Sequence, residues 1–297
     1  MGHVEKEDRV ALVHGLSLGY EACRHRRWDS ILPRSRDPLA RRLRLSQGTR
    51  PAGKAPTHPA CTPGRRESDR MLVPFGEDLC LADGPDVSFF GFPYPTRMAV
   101  ARLSTGRLWV WSPIALTDEL ATAVEALGTV SYIVSPNKLH HLFLAEWSDR
   151  WPDARLYAPP GLARKKPQLR FAAELGDGSS SPWRVEIDQT VFRGSLFLEE
   201  VVFFHRASRT AIFGDLIQRF PEQAAKGWKG LMMRLDGLVG PEGSTPREWR
   251  LSFLPRGPAR AARRTVLGWK PQRLLIAHGE CAARGATETI EAALRWI

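Results

Sequence analysis

The sequence predicts an α/β protein in two halves, each built on a mixed sheet with flanking helices. Two observations carry this expectation. From residue 71 onward, apolar runs of strand length alternate with amphipathic runs of helix length. Their order is strands, then helix-strand-helix-strand, then strands, then helix-strand-helix. Three of the apolar runs are followed closely by ligand-type residues: His140-His141, Gly214-Asp215 and His278-Gly279. Open α/β sheets place their ligands at such strand ends.

Each element has its own signal. Leu79–Ala82, Met98–Leu103 and Leu108–Trp111 read as strands, with turns at Asp83-Gly84 and Thr105-Gly106. Thr117 is an N-cap for a helix reaching about Leu127, because its hydroxyl can accept an orphan amide and Asp118 and Glu119 suit the first turn. Thr129–Val134 reads as a buried strand, Leu142–Trp151 as a helix, and Arg155–Ala158 as a strand closed by Pro159-Pro160-Gly161. Residues 162–185 are polar and read as loop. Trp183–Asp188, Leu196–Phe204 and Thr210–Phe213 read as strands, the last two joined by the Arg206–Arg209 turn. Glu222–Leu235, Ala259–Leu267 and Thr287–Trp296 read as helices, and Arg273–Ala277 as the final strand.

Residues 1–70 are a different kind of polymer. They hold 15 basic and 8 acidic side chains, a net +7 of the chain's +11, and Arg34–Arg70 is rich in Arg, Pro, Gly, Ser and Thr. A segment with so little apolar surface cannot offset its ordering entropy, so a disordered basic tail is expected there and a folded domain over residues 71–297. The remaining charge of +4 is too small and too dispersed for a nucleic-acid face on the main domain. Cys23, Cys61, Cys80 and Cys281 show no CxxC spacing, which argues against a zinc ribbon or disulfide framework and for a reducing, cytoplasmic setting. No apolar run approaches the roughly 18 residues of a membrane span. Gly-x-Ser-x-Gly, Gly-x-Gly-x-x-Gly and P-loop motifs are absent, which removes the serine-hydrolase elbow and dinucleotide or ATP chemistry.

What remains is metal chemistry. Imidazoles and a carboxylate emerging at strand ends suit zinc, iron or manganese better than calcium or magnesium. The loop Asn137-Lys-Leu-His140-His141, the strand end Ile212-Phe-Gly-Asp215 and the strand end Leu275-Ile-Ala-His278-Gly279 together resemble the metallo-β-lactamase superfamily, closest to a divergent branch of unknown function. The resemblance spans residues 75 to 297. It implies an αββα sandwich of two mixed sheets with metal at the sheet edges. The superfamily's first motif is His-x-His-x-Asp-His, and here Pro136, Lys138, His140 and His141 fall on its four ligand positions. Its next histidine position falls near Gly194-Ser195, again without a histidine. A classical first metal site is therefore hard to build. The resemblance implies a second one on His140, His141, Asp215 and His278, holding a single divalent ion, zinc before iron or manganese.

The function expected from this is a metal-dependent hydrolase in which a mononuclear site activates water for attack on an ester, lactone, amide or phosphoester of small-molecule size, with Asp215 and His140 as the catalytic pair. The alternative is a catalytically degenerate fold that binds a ligand or a protein. Behind the ligands, Asn137 either caps the loop or supports the site. Glu146 could orient an imidazole from the following helix. His205 has two open roles, one structural at the Arg206–Arg209 turn and one supporting the site.

Overall fold

A computed structural model describes residues 71–89, 92–177 and 180–297; the segment 1–70, for which a basic tail is expected, lies outside them. The architecture follows from how β4 (Arg107–Trp111) alternates its side chains. Leu108 and Val110 point to one core and Trp109 and Trp111 to another, and all four are fully buried. A strand with two buried faces must lie inside a layered structure.

The first sheet has seven strands in sequential order. β1 (Val73–Gly76), β2 (Leu79–Phe89), β3 (Phe92–Arg102) and β4 form an antiparallel meander. Then β5 (Thr129–Val134), β6 (Arg155–Ala158) and β7 (Phe171–Glu174) add in parallel, with α1 (Asp118–Glu125), α2 (Leu144–Arg150) and the short α3 (Leu162–Lys165) as crossovers. Thr117 caps α1 as expected: its hydroxyl accepts the Leu120 amide at 3.2 Å.

The second sheet has the order β11-β10-β9-β8. β8 (Ile187–Phe192), β9 (Glu200–His205) and β10 (Thr210–Phe213) are antiparallel, and β11 (Arg273–Ile276) joins β10 in parallel. Between β10 and β11 run a 3-10 turn at Glu222–Ala224, α4 (Gly227–Leu235), α5 (Arg247–Ser252) and α6 (Gly257–Gly268). α7 (Ala286–Ala293) follows β11.

Three apolar layers hold this together. The inner faces of both sheets meet around Trp109, Trp111, Val201, Phe203, Ile212 and Leu275. The outer face of the second sheet packs Ala211, Phe213, Leu274 and Ile276 on Ala262 and Val266 of α6 and Ile290 of α7. The outer face of the first sheet packs on Leu120 of α1 and Trp147 of α2. This is the αββα sandwich of two mixed sheets.

Some local expectations need correction. Asp83-Gly84 is no turn: β2 runs through it with a register shift between Gly84 and Val87, held by the Arg97–Asp83 ion pair from β3. The stretch 162–185 carries α3 and β7, an edge strand whose mostly exposed residues give no alternation signal. Trp183–Glu186 form a turn, and the strand begins only at Ile187. The apolar content there anchors the Trp183 indole between Tyr132 and Tyr157, at ring separations of 5.3 and 4.6 Å. The helix expected over Glu222–Leu235 is broken at Ala225 and Lys226, with ψ of 78° and 149°, and resumes at Gly227, whose φ of 59° is left-handed.

Candidate metal centre

The centre forms where β4, β5, β10 and β11 stop. β10 and β11 run in parallel with Phe213 opposite Ile276, so Asp215 and His278 emerge two residues past the same rung. The loop after β5 supplies the third member. Its shape follows from two polar residues that satisfy backbone groups. The Asn137 side-chain oxygen accepts the amides of Leu139 and His140 at 2.8 and 3.3 Å. The Ser135 hydroxyl reaches the carbonyls of Asn137 and His140, each at 2.8 Å. The loop thereby turns the His140 ring inward.

His140 Nε2 lies 3.1 Å from Asp215 Oδ2, and His278 Nε2 lies 3.0 Å from Asp215 Oδ1. The ligand atoms of these three residues all fall within 4.8 Å of one another, so the group could hold a metal ion. The far side of each ring is anchored. His140 Nδ1 meets the Ser112 hydroxyl at 2.6 Å, and His278 Nδ1 donates to the Pro95 carbonyl at 2.8 Å. Ser112 holds this position with a left-handed φ of 51°, a conformation costly for a non-glycine residue. Tyr94 packs edge-on against the His278 ring at 5.2 Å.

Beneath the ligands lies a carboxylate that motif reading did not single out. Glu200, the first residue of β9, is fully buried. It accepts the amides of Gly214 (2.8 Å), Asp215 (2.6 Å) and Leu216 (3.3 Å) and the Asn137 side-chain amide (3.0 Å). The same Asn137 amide donates to Asp215 Oδ2 at 2.7 Å. Glu200 thus grips the backbone that carries Asp215, and Asn137 bridges the two carboxylates. The sequence carries only a hint of this: Glu199-Glu200 leads directly into the apolar run Val-Val-Phe-Phe.

The charges interact strongly. Burial alone would raise the Asp215 carboxyl, but the His140 and His278 imidazoles outweigh it and hold the group well below the usual carboxylate range. Burial and the neighbouring Asp215 push Glu200 up to about 7, against the pull of its amide donors. Burial, then the charges of Lys165 and Lys166, bring His141 down to about 4.

The structure sorts the expected residues. It gathers His140, Asp215 and His278, with Asn137 behind them. His141, expected as a fourth ligand, is not in the group. Its ring comes under the influence of Lys165 and Lys166, and its buried Nδ1 has no hydrogen-bond partner. Glu146 does not orient an imidazole; its carboxylate accepts the Leu116 amide at 3.0 Å. His205 pairs with Thr210 at the far end of the β9–β10 ladder and bonds Ser208 at 2.8 Å, a structural role remote from Asp215.

Solved structures share this fold. The chain superposes on a metallo-β-lactamase from Hirschia baltica at 12% identity and a TM-score of 0.51, covering 74% of this chain and 96% of that one. A metallo-β-lactamase from Pontibacter korlensis gives 11% identity and a TM-score of 0.51, with 75% and 98% covered. The DIM-1 metallo-β-lactamase, in a structure exposed to ceftazidime, gives 13% identity and a TM-score of 0.51, with 74% and 94% covered. The fold is therefore metallo-β-lactamase-like. Residues 88–232 also match the model of a family described as Domain of unknown function (DUF4336). No curated protein matches the chain in sequence.

Proposed function

We propose that the protein is a metal-dependent hydrolase with one divalent ion held by His140, Asp215 and His278. The observation that carries this is the hydrogen bonding of His278. The Pro95 carbonyl can only accept, so His278 Nδ1 carries a proton, and Nε2 is the nitrogen left facing Asp215 Oδ1 at 3.0 Å. That contact needs a positive centre between nitrogen and oxygen, a second ring proton or a metal ion, and the convergence of His140 Nε2 on the same carboxylate favours the metal ion. A backbone carbonyl behind an imidazole is also the usual means of fixing a ligand's tautomer. Two nitrogens and a carboxylate suit zinc first, then iron or manganese.

A bound ion would supply Lewis acidity, polarising a carbonyl or phosphoryl oxygen and making water more acidic. The chain's own residues do the rest. Ser112 and Pro95 fix the two rings, Asn137 occupies one side of Asp215 Oδ2, and Glu200 holds the Asp215 backbone. Asp215 and His140 are then the groups nearest the reacting atoms of a small ester, lactone, amide or phosphoester. The missing first-site ligands at Pro136 and Lys138 support a mononuclear centre.

The test is metal analysis of the purified chain with a zinc titration. We expect one ion per chain, and loss of that site in His278→Ala and in His140→Ala, together with hydrolysis of a generic ester that chelation abolishes. Metal that stays substoichiometric after reconstitution, unchanged by both substitutions, ends the reading. A second reading, binding without hydrolysis, is favoured by the burial of the ligands, since Asp215 is 3% and His278 6% exposed. Stoichiometric metal without esterase activity would select it.

A further inference from the structure

The parallel pair β10–β11 has two ends, and the metal centre uses only the C-terminal one. At the N-terminal end, Arg209 and Arg273 stand just before and at the first residues of the two strands. Together with Lys270 and Arg284 they line a cleft of about 560 Å³. Four rungs at roughly 3.3 Å per residue put it on the order of 15 Å from Asp215. We propose that this cleft is a binding site for a small polyanion carrying two or more phosphate groups, separate from the metal centre.

Four cations converge on the cleft, against one lining carboxylate, that of Glu288. Among the described residues none of the four makes an ion pair with a carboxylate. Glu288 and nearby carbonyl dipoles offset their mutual repulsion only in part, so the cleft retains a surplus of positive charge. The two arginines at the strand starts are also positioned rather than loose. Arg209 Nη2 donates to the Lys270 carbonyl at 2.7 Å, and Arg273 Nη1 donates to the Ser208 carbonyl at 2.7 Å. The Arg209 carbonyl in turn accepts the amides of Gln272 and Arg273 at 2.9 and 3.2 Å. The buried Arg209 Nε has no hydrogen-bond partner.

The backbone gives a second, independent sign. Arg209 and Lys270 both adopt left-handed conformations, with φ of 50° and 53°. Long side chains are disfavoured there, and such strain persists where a side chain has work to do. The lining also narrows the ligand. It includes no aromatic side chain on which a base could stack, so the phosphates themselves are the recognised part. Guanidinium and ammonium groups together suit phosphate oxygens, the first by paired hydrogen bonds and the second as a point charge.

The test uses the full chain, freed of divalent ions on a chelating resin so that the probe cannot engage the metal centre. Sodium tripolyphosphate is titrated calorimetrically at fixed ionic strength. Saturable binding of one molecule per chain is expected, with inorganic phosphate at least about tenfold weaker. Lys270→Gln and Arg284→Gln, both on exposed side chains, should each weaken it about tenfold, the scale of one charge-assisted hydrogen bond, and their combination should abolish it. Tripolyphosphate binding unchanged in the double variant overturns the proposal, as does the absence of a saturable site in the parent. Loss of binding to a short single-stranded RNA in that variant, with tripolyphosphate binding unaltered, would reassign the cleft to nucleic acid and overturn it too.

Discussion

The two ends of the β10–β11 ladder handle charge in opposite ways. At the C-terminal end, the two carboxylates are buried and met by neighbouring groups: Asp215 by His140, His278 and Asn137, and Glu200 by three amides and Asn137. At the N-terminal end, Arg209, Lys270, Arg273 and Arg284 are countered only by carbonyl dipoles and one lining carboxylate. A buried network must close on itself or coordinate a cation, because uncompensated charge in the interior is prohibitive. A solvated cluster tolerates imbalance and can keep it for a ligand. The first arrangement couples stability to chemistry; the second separates them.

Breaking that coupling should have its largest effect at Glu200. Glu200→Ala leaves three backbone amides without an acceptor and the Asn137 amide with Asp215 alone, which should cost about 3–5 kcal/mol in urea unfolding. Zinc affinity should fall roughly 10- to 100-fold, as expected when a supporting partner is lost. Glu200→Gln, which keeps one acceptor oxygen, should recover part of both. Stability indifferent to either change would mean the carboxylate is not what holds the strand end.

The cationic end should behave the other way. Lys270 follows α6 in the left-handed position where glycine is favoured. Lys270→Gly should therefore raise stability by about 0.5–1 kcal/mol while weakening polyanion binding. A loss of stability in urea would contradict the assignment of strain there.

The smallest effect concerns pH. Burial holds the His205 imidazole below its ordinary value of 6.5, so the folded protein keeps it neutral where the unfolded chain would protonate. That contribution is present above 6.5 and is lost as the pH falls below it. Thermal midpoints should decline on the acid side of 6.5, and His205→Gln should flatten the decline. An identical acid limb in the variant would assign it to other groups.

Much of the frame was legible in the sequence, for reasons that also explain the failures. Thr129–Val134, Arg155–Ala158 and Thr210–Phe213 were read with their observed limits, because buried strands of a layered sheet are continuous apolar runs with sharp polar ends. β7 and the outer parts of β2 and β3 escaped, because an edge strand or a bulged strand lacks both alternation and a continuous core face. At the site, Asp215, His140 and His278 could be named from strand ends alone. Glu200 could not, since its function depends on amides 14 to 16 residues away that only the folded hairpin brings to it. The local pattern also could not tell which of the adjacent His140 and His141 turns inward. Asn137 and Ser135 decide that through backbone hydrogen bonds.

The register of β10 and β11 has one more consequence. Thr210 to Phe213 face Arg273 to Ile276 over four rungs, with Arg209 and Arg273 at one end and Asp215 and His278 just past the other. The ladder works as a ruler that sets the spacing of the two ends. Inserting or deleting one residue in either strand would exchange its helix-facing and sheet-facing side chains and move one mark off its partner at each end.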